Sequence, residues 1–123
     1  MRRFLARLGW IALLGTMGSS CLSPTLPLPP PDIDSVTQTD DGLWQVAGTC
    51  KPGAMVTVLN DETGTGVVFE DREQIGQWVV QLPGDLCDAA WVSQEFGNDE
   101  SSRTNFVIDE INIDQPSGSG ACN

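Results

Sequence analysis

The chain has no histidine and no tyrosine among its 123 residues, and only six lysines and arginines. Each shortage closes off some chemistry. Without histidine the usual general base near neutral pH is missing, and so is the imidazole found in many zinc sites. No Gly-x-Ser-x-Gly elbow or other nucleophile–base spacing occurs, so the chain reads as a non-enzyme. A pair of carboxylates can hydrolyse a glycosidic bond, but with 17 acidic residues on a small domain such pairs arise unavoidably. The cations are lopsided as well as few. Arg2, Arg3 and Arg7 crowd the first seven positions, so from Asp32 onward three cations (Lys51, Arg72 and Arg103) face all 17 carboxylates, a net of −14. That balance excludes nucleic acid and anionic bilayers as charge-driven partners, because both need clustered positive charge. Nothing in the pattern asks for a cofactor or a cysteine-based metal site, since no Cys-x-x-Cys spacing is present. The longest apolar run, Leu8 to Met17, is half the roughly 20 residues a permanent membrane-spanning helix needs.

That short run still has a purpose. A basic start, an apolar middle and Gly18-Ser19-Ser20 make residues 1–20 an export signal. The small residues directly before Cys21 resemble the lipobox of bacterial lipoproteins. In that family the signal is cut before the cysteine, whose thiol carries diacylglycerol; palmitate and other acyl chains then form the membrane anchor. Gly18 departs from the family, which usually has Leu, Val or Ile three residues before the cysteine. It suits the ordinary signal peptidase equally well, and that cut leaves a secreted protein beginning at Cys21. Leu22 rather than Asp after the cysteine implies, by the sorting rule of Gram-negative lipoproteins, the cell outer membrane rather than the inner.

Residues 21–31 continue as a spacer. Five prolines between Leu22 and Pro31 hold φ near −65° and withhold backbone donors, which favours polyproline II. From Asp32 the hydrophobic period changes to two. Alternating segments begin at Ile33, Leu43, Ala54, Val67, Gln77, Ala89 and Thr104, separated by turn signals such as Pro52-Gly53, Gly64-Thr65-Gly66, Pro83-Gly84 and Gly97-Asn98. Inward sets follow from the alternation: Trp44, Val46 and Gly48; Ala54, Val56 and Val58; Val67 and Phe69; Trp78, Val80 and Leu82; Ala90, Val92 and Phe96; Phe106 and Ile108. The expected architecture is all-β, an antiparallel sandwich of about seven strands over residues 32–113, followed by a flexible tail over 114–123.

The segments Val46-Ala-Gly-Thr-Cys-Lys-Pro-Gly-Ala-Met-Val-Thr-Val58, Gly76-Gln-Trp-Val-Val-Gln-Leu82, Phe96-Gly-Asn98 and Phe106-Val-Ile108 resemble the bacterial Ig-like domains of surface proteins and adhesins. The resemblance implies an Ig-like fold and a non-catalytic role in binding, adhesion or structure. It rests on core and turn positions, and a solitary copy departs from the usual tandem array. An accessory subunit of a larger envelope complex is the alternative role.

Exported cysteines usually pair. With Cys21 lipidated, Cys50, Cys87 and Cys122 remain. Alternating strand directions put Cys50 at one end of the sandwich and both Cys87 and Cys122 at the other. Cys87–Cys122 is therefore the easier bond. Cys50–Cys87 stays open because both lie inside the domain, as does Cys50–Cys122 or no bond at all. Acidic turns at Asp40-Asp41, Asp61-Glu62, Asp85 with Asp88, and Asp99-Glu100 offer calcium only a weak, unspecific invitation, since none matches a calcium-loop pattern. Trp91 lies on the face opposite Ala90 and Val92 and is the candidate recognition residue, near Met55 and Leu59 if their strands are neighbours; a one-residue slip would instead bury it. The partner it would meet is an unknown protein or surface.

Overall fold

A computed structural model describes residues 26–122. The residues read as an export signal, Cys21 and the first part of the expected spacer lie outside the described residues. Eight antiparallel strands follow in order: β1 (Asp32–Gln38), β2 (Trp44–Thr49), β3 (Met55–Asn60), β4 (Gly66–Glu70), β5 (Gln77–Leu82), β6 (Ala89–Phe96), β7 (Asp99–Glu100) and β8 (Thr104–Val107). They form two sheets, one ordered β1-β2-β5 and the other β4-β3-β6, with β7 and β8 both pairing β6. This is an all-antiparallel two-sheet sandwich consistent with an Ig-like fold. Relative to the constant-type arrangement of four and three strands, the fourth strand has moved to the sheet of the third.

The eighth strand comes from one bulge. Phe96 pairs Asp99 and Glu95 pairs Glu100, whereas Val92 pairs Thr104. Three residues, Ser101 to Arg103, thus oppose two on β6, a β-bulge that interrupts the last strand. Ser101 repairs the ladder: its N–H donates to the Gln94 carbonyl at 2.8 Å, and its hydroxyl accepts the Gln94 N–H at 2.9 Å. The turn between β6 and β7 needs only Gly97 and Asn98, with Gly97 at φ 63°, matching a two-residue hairpin with glycine first.

The alternation read from the sequence builds the core. Val36, Trp44, Val46, Val56, Val58, Trp78, Val80, Leu82, Ala90, Val92 and Ile108 form one buried cluster, with Val67, Phe69 and Phe106 packed against it. The expected inward position of Phe96 is a correction. It stands at the end of β6, beyond the core, and its ring lies exposed under the Lys51 ammonium at 4.7 Å. The buried side chain two residues earlier is Gln94. Its Nε2 donates to the Pro29 carbonyl at 2.6 Å and its Oε1 accepts from the Lys51 N–H at 2.8 Å. The spacer is therefore fastened before the first strand, with Thr104 donating to the Pro31 carbonyl at 3.1 Å as well. Beyond β8, Ile111 exchanges two backbone hydrogen bonds with Val36, each 2.9 Å, and so covers part of β1.

Gly48 is inward as expected, but for want of room rather than for flexibility. A Cβ there would stand 1.8 Å from the Asp32 carbonyl oxygen and 2.9 Å from the Trp78 ring. Gly48→Ala must push β1 away from β2 at its first pair. Overpacking of this kind costs about 1–3 kcal/mol, so a Tm loss of roughly 10 °C is expected by differential scanning calorimetry. An unchanged Tm would contradict the packing described.

Candidate functional site

The two ends of the sandwich differ in chemistry. At one end, Asp71 sits one residue past β4 with 2 % exposure. Its Oδ2 accepts the N–H groups of Gly53 at 3.0 Å and Gly76 at 2.7 Å, and its Oδ1 accepts that of Ile75 at 3.2 Å. These bonds, Gly53's foremost, hold its carboxyl below the usual range against the opposing effect of burial. One anion thereby joins the β2–β3 turn to the loop before β5. Cys50 stands nearby, half-buried, in a cavity of about 330 Å³ whose lining includes Pro29, Pro30, Lys51 and Gln94. Burial, and then the Asp71 charge, push its thiol up, which makes it a weak nucleophile. It bonds to no described cysteine.

At the other end, Cys87 and Cys122 form the disulfide, with Cα atoms 5.3 Å apart. The alternative Cys50–Cys87 pairing is thereby overturned: Cys50 belongs to the Asp71 end, and Cys87 to the opposite one. Asn60, 0 % exposed, organises the loops around it. Its amide donates to the Pro83 carbonyl at 3.2 Å and to Asp88 at 3.0 Å, and its oxygen accepts the N–H groups of Glu62 and Thr63 at 2.8 and 3.3 Å. Every strong hydrogen-bonding position of that buried amide is used. Asp88 also accepts the Asp85 N–H at 2.9 Å, and its carboxyl lies below the usual range chiefly because of Asn60. Asp109 does similar work for the chain end. Its Oδ1 accepts the Ser119 hydroxyl at 2.6 Å and its Oδ2 the Ser119 N–H at 2.9 Å, and the Ser119 hydroxyl is the main cause of its lowered pKa. The segment read as a tail is thus tied at Ser119 and at Cys122.

Neither end gathers a metal set. Among the described residues no three metal-capable side chains come together.

The remaining candidate, Trp91, lies on the outer face of the five-strand sheet. It is half-buried there and directly opposite Leu59 on β3, with Met55 further along the same strand. Its Nε1 donates to Asp61 at 3.1 Å, and the Arg103 guanidinium, delivered by the bulge, lies 4.0 Å from its ring centroid. The indole is held by a hydrogen bond at one edge and a cation on its face, so its position is fixed before any partner arrives. Sequence reasoning found Trp91, Leu59 and Met55. It missed Arg103 and Asp61, because only the bulge and the β3–β4 loop bring them to the ring.

Fold and site together describe a small β-sandwich consistent with an Ig-like fold, with one disulfide and a half-buried tryptophan beside Leu59 on the outer face of one sheet. No protein-family model matches the chain, and neither a curated protein nor a solved structure gave a match.

Proposed function

We propose that this chain is an exported envelope lipoprotein, anchored through Cys21, whose Ig-like domain is a non-catalytic binding or adhesion module of the kind found in bacterial surface proteins. The observation that carries the binding role is the fixed Trp91 ring beside Leu59, reachable from solvent on an outer sheet face. Rigid aromatics lose little entropy on contact and are enriched among residues that dominate binding energy. The buried carboxylates support a non-catalytic reading, since Asp71 and Asp109 each accept several donors that hold loops together. Calcium has no further support beyond the acidic turns.

Two measurements test this. Intact mass of the chain recovered from the membrane fraction is expected to show a diacylglycerol adduct on Cys21; an unmodified Cys21 overturns the anchor and leaves a secreted module. Cross-linking on intact cells is expected to capture a partner that Trp91→Ala loses at least tenfold, roughly the ≥ 1.4 kcal/mol expected of an aromatic anchor. Equal capture by the variant overturns the Trp91 role. A second reading, an accessory subunit of a larger envelope assembly, is favoured by an open sheet edge elsewhere on the domain.

A further inference from the structure

A sandwich has four edge strands, and exposed edges invite pairing unless something blunts them. Two are blunted here. The β1 edge is partly covered by Ile111, and the β8 edge is broken by the Ser101–Arg103 bulge. The other two, β4 and β5, lie side by side, and the β5 edge is interrupted by no bulge. It runs six residues without proline, lysine or bulge, in unbroken register with β2.

The Cys50 N–H donates to the Gly76 carbonyl, which sets the phase of the ladder. Trp78, Val80 and Leu82 then direct their backbone groups to β2, while Gln77, Val79 and Gln81 direct theirs outward. No hydrogen bond to the backbone of those three is found among the described residues. Beside them, Ile75 is 60 % exposed, Val79 46 % and Val68 of the adjacent β4 58 %. A cavity of about 350 Å³ reaches from Phe69 and Ile75 across β5 to Ala47 and Asp34. An open ladder, apolar flanks and a carboxylate at the far side of the cavity therefore lie together.

We infer that the β5 edge takes up an extended segment of a partner protein by strand addition, with apolar residues on one side of that segment and lysine or arginine on the other. The backbone groups of Gln77, Val79 and Gln81 supply affinity, and the cavity between Phe69 and Asp34 selects side chains. Charge decides between partners. With a net of −14 from Asp32 onward, two copies meeting edge to edge bring like charges together, whereas a cationic segment is attracted. This rests on the non-catalytic binding reading but not on Trp91, which lies on the outer face of the opposite sheet.

The test uses the full chain in detergent micelles and an acetylated, amidated octapeptide of alternating valine and lysine. Hydrogen exchange is expected to be fast at Gln77, Val79 and Gln81 in the free protein, and at least tenfold slower with saturating peptide. Val79→Pro removes one outward N–H and no bond to β2, a position where an edge strand accepts proline; it is expected to weaken peptide binding at least tenfold with the fold intact by circular dichroism. Should that variant not fold, Val79→Lys, which blunts the edge by charge, is expected to do the same. A peptide of equal charge N-methylated at every residue is expected not to bind. Equal binding of the methylated peptide, no binding of the parent, or protection confined to Leu59 and Trp91 overturns the inference; the last outcome leaves the Trp91 role standing. A concentration-dependent dimer that protects Gln77, Val79 and Gln81 without peptide overturns the cationic partner in favour of a second copy.

Discussion

Replacing Cys87 and Cys122 together by serine is expected to lower the stability of the fold by about 2–4 kcal/mol, the usual contribution of a disulfide in a small domain. The bond joins residues 35 apart in sequence, so it removes much of the freedom of the unfolded chain. It also fastens the last described turn, because the segment from Asp114 to Cys122 is otherwise tied mainly through Ser119 to Asp109. In a domain of this size the loss corresponds to a Tm fall of roughly 10–20 °C. A second variant separates the bond from its backbone setting. Cys87 sits at φ 75°, a left-handed conformation that glycine adopts freely and serine does not. Cys87→Gly with Cys122→Ser is therefore expected to recover part of the loss, by about 1 kcal/mol. Scanning calorimetry on both variants, with and without reductant, checks this. Reductant should lower the Tm of the parent chain and leave both variants unmoved. A parent Tm indifferent to complete reduction would contradict a stabilising role for the bond.

Much of this fold was legible because burial on one face of a strand leaves a period-two signature. The alternating segments that begin at Gln77 and Ala89 became β5 and β6 from those same residues, and Trp44, Val46, Val56, Val58, Trp78, Val80 and Leu82 entered the core. Pairing order is another matter. Alternation says which face a residue shows but not which strand lies beside it, so the meeting of Leu59 with Trp91 stayed conditional until β3 and β6 proved to be neighbours. The bulge at Ser101–Arg103 was hidden for the same reason, since it exists only relative to β6.

The polar residues were the least readable. Asp71 stands among Glu70, Arg72 and Glu73, and composition there suggests a solvated strand end. Asn60 directly precedes what looks like a polar hairpin loop, Asp61 to Gly66. Both are buried because polar partners from other segments converge on them, the Gly53 N–H on Asp71 and the Pro83 carbonyl and Asp88 carboxylate on Asn60, and such convergence is set by tertiary structure. The cysteines fared better, because strand direction alone separates the two ends and so favours Cys87–Cys122 over Cys50–Cys87.

That hidden role of Asp71 gives the second large effect, and it should appear as a dependence on pH. A carboxyl whose folded pKa lies below its unfolded value carries fewer protons in the fold than in the unfolded chain. It therefore stabilises the fold at every pH above the unfolded value of about 3.9, and the contribution disappears as pH falls through the folded value. Asp71, Asp88 and Asp109 are all lowered, so the fold is expected to hold from neutrality down to about pH 4 and to lose stability below it. Asp71→Asn imitates the protonated acid: one acceptor oxygen becomes a donor and faces an N–H group that it cannot satisfy. Leaving buried donors unmatched is costly, and the variant is expected to melt roughly 5–10 °C lower at pH 7. As pH falls through the lowered folded value, where the parent carboxyl is itself protonated, the two melting curves are expected to converge. Thermal melts from pH 7 to pH 2 distinguish this from a packing defect, which would give the same offset at every pH. Cys50→Ser supplies the control, since the Asp71 charge raises the thiol's pKa without taking a hydrogen bond from it; that variant should keep the parent's acid limb, while Asp71→Asn should flatten it.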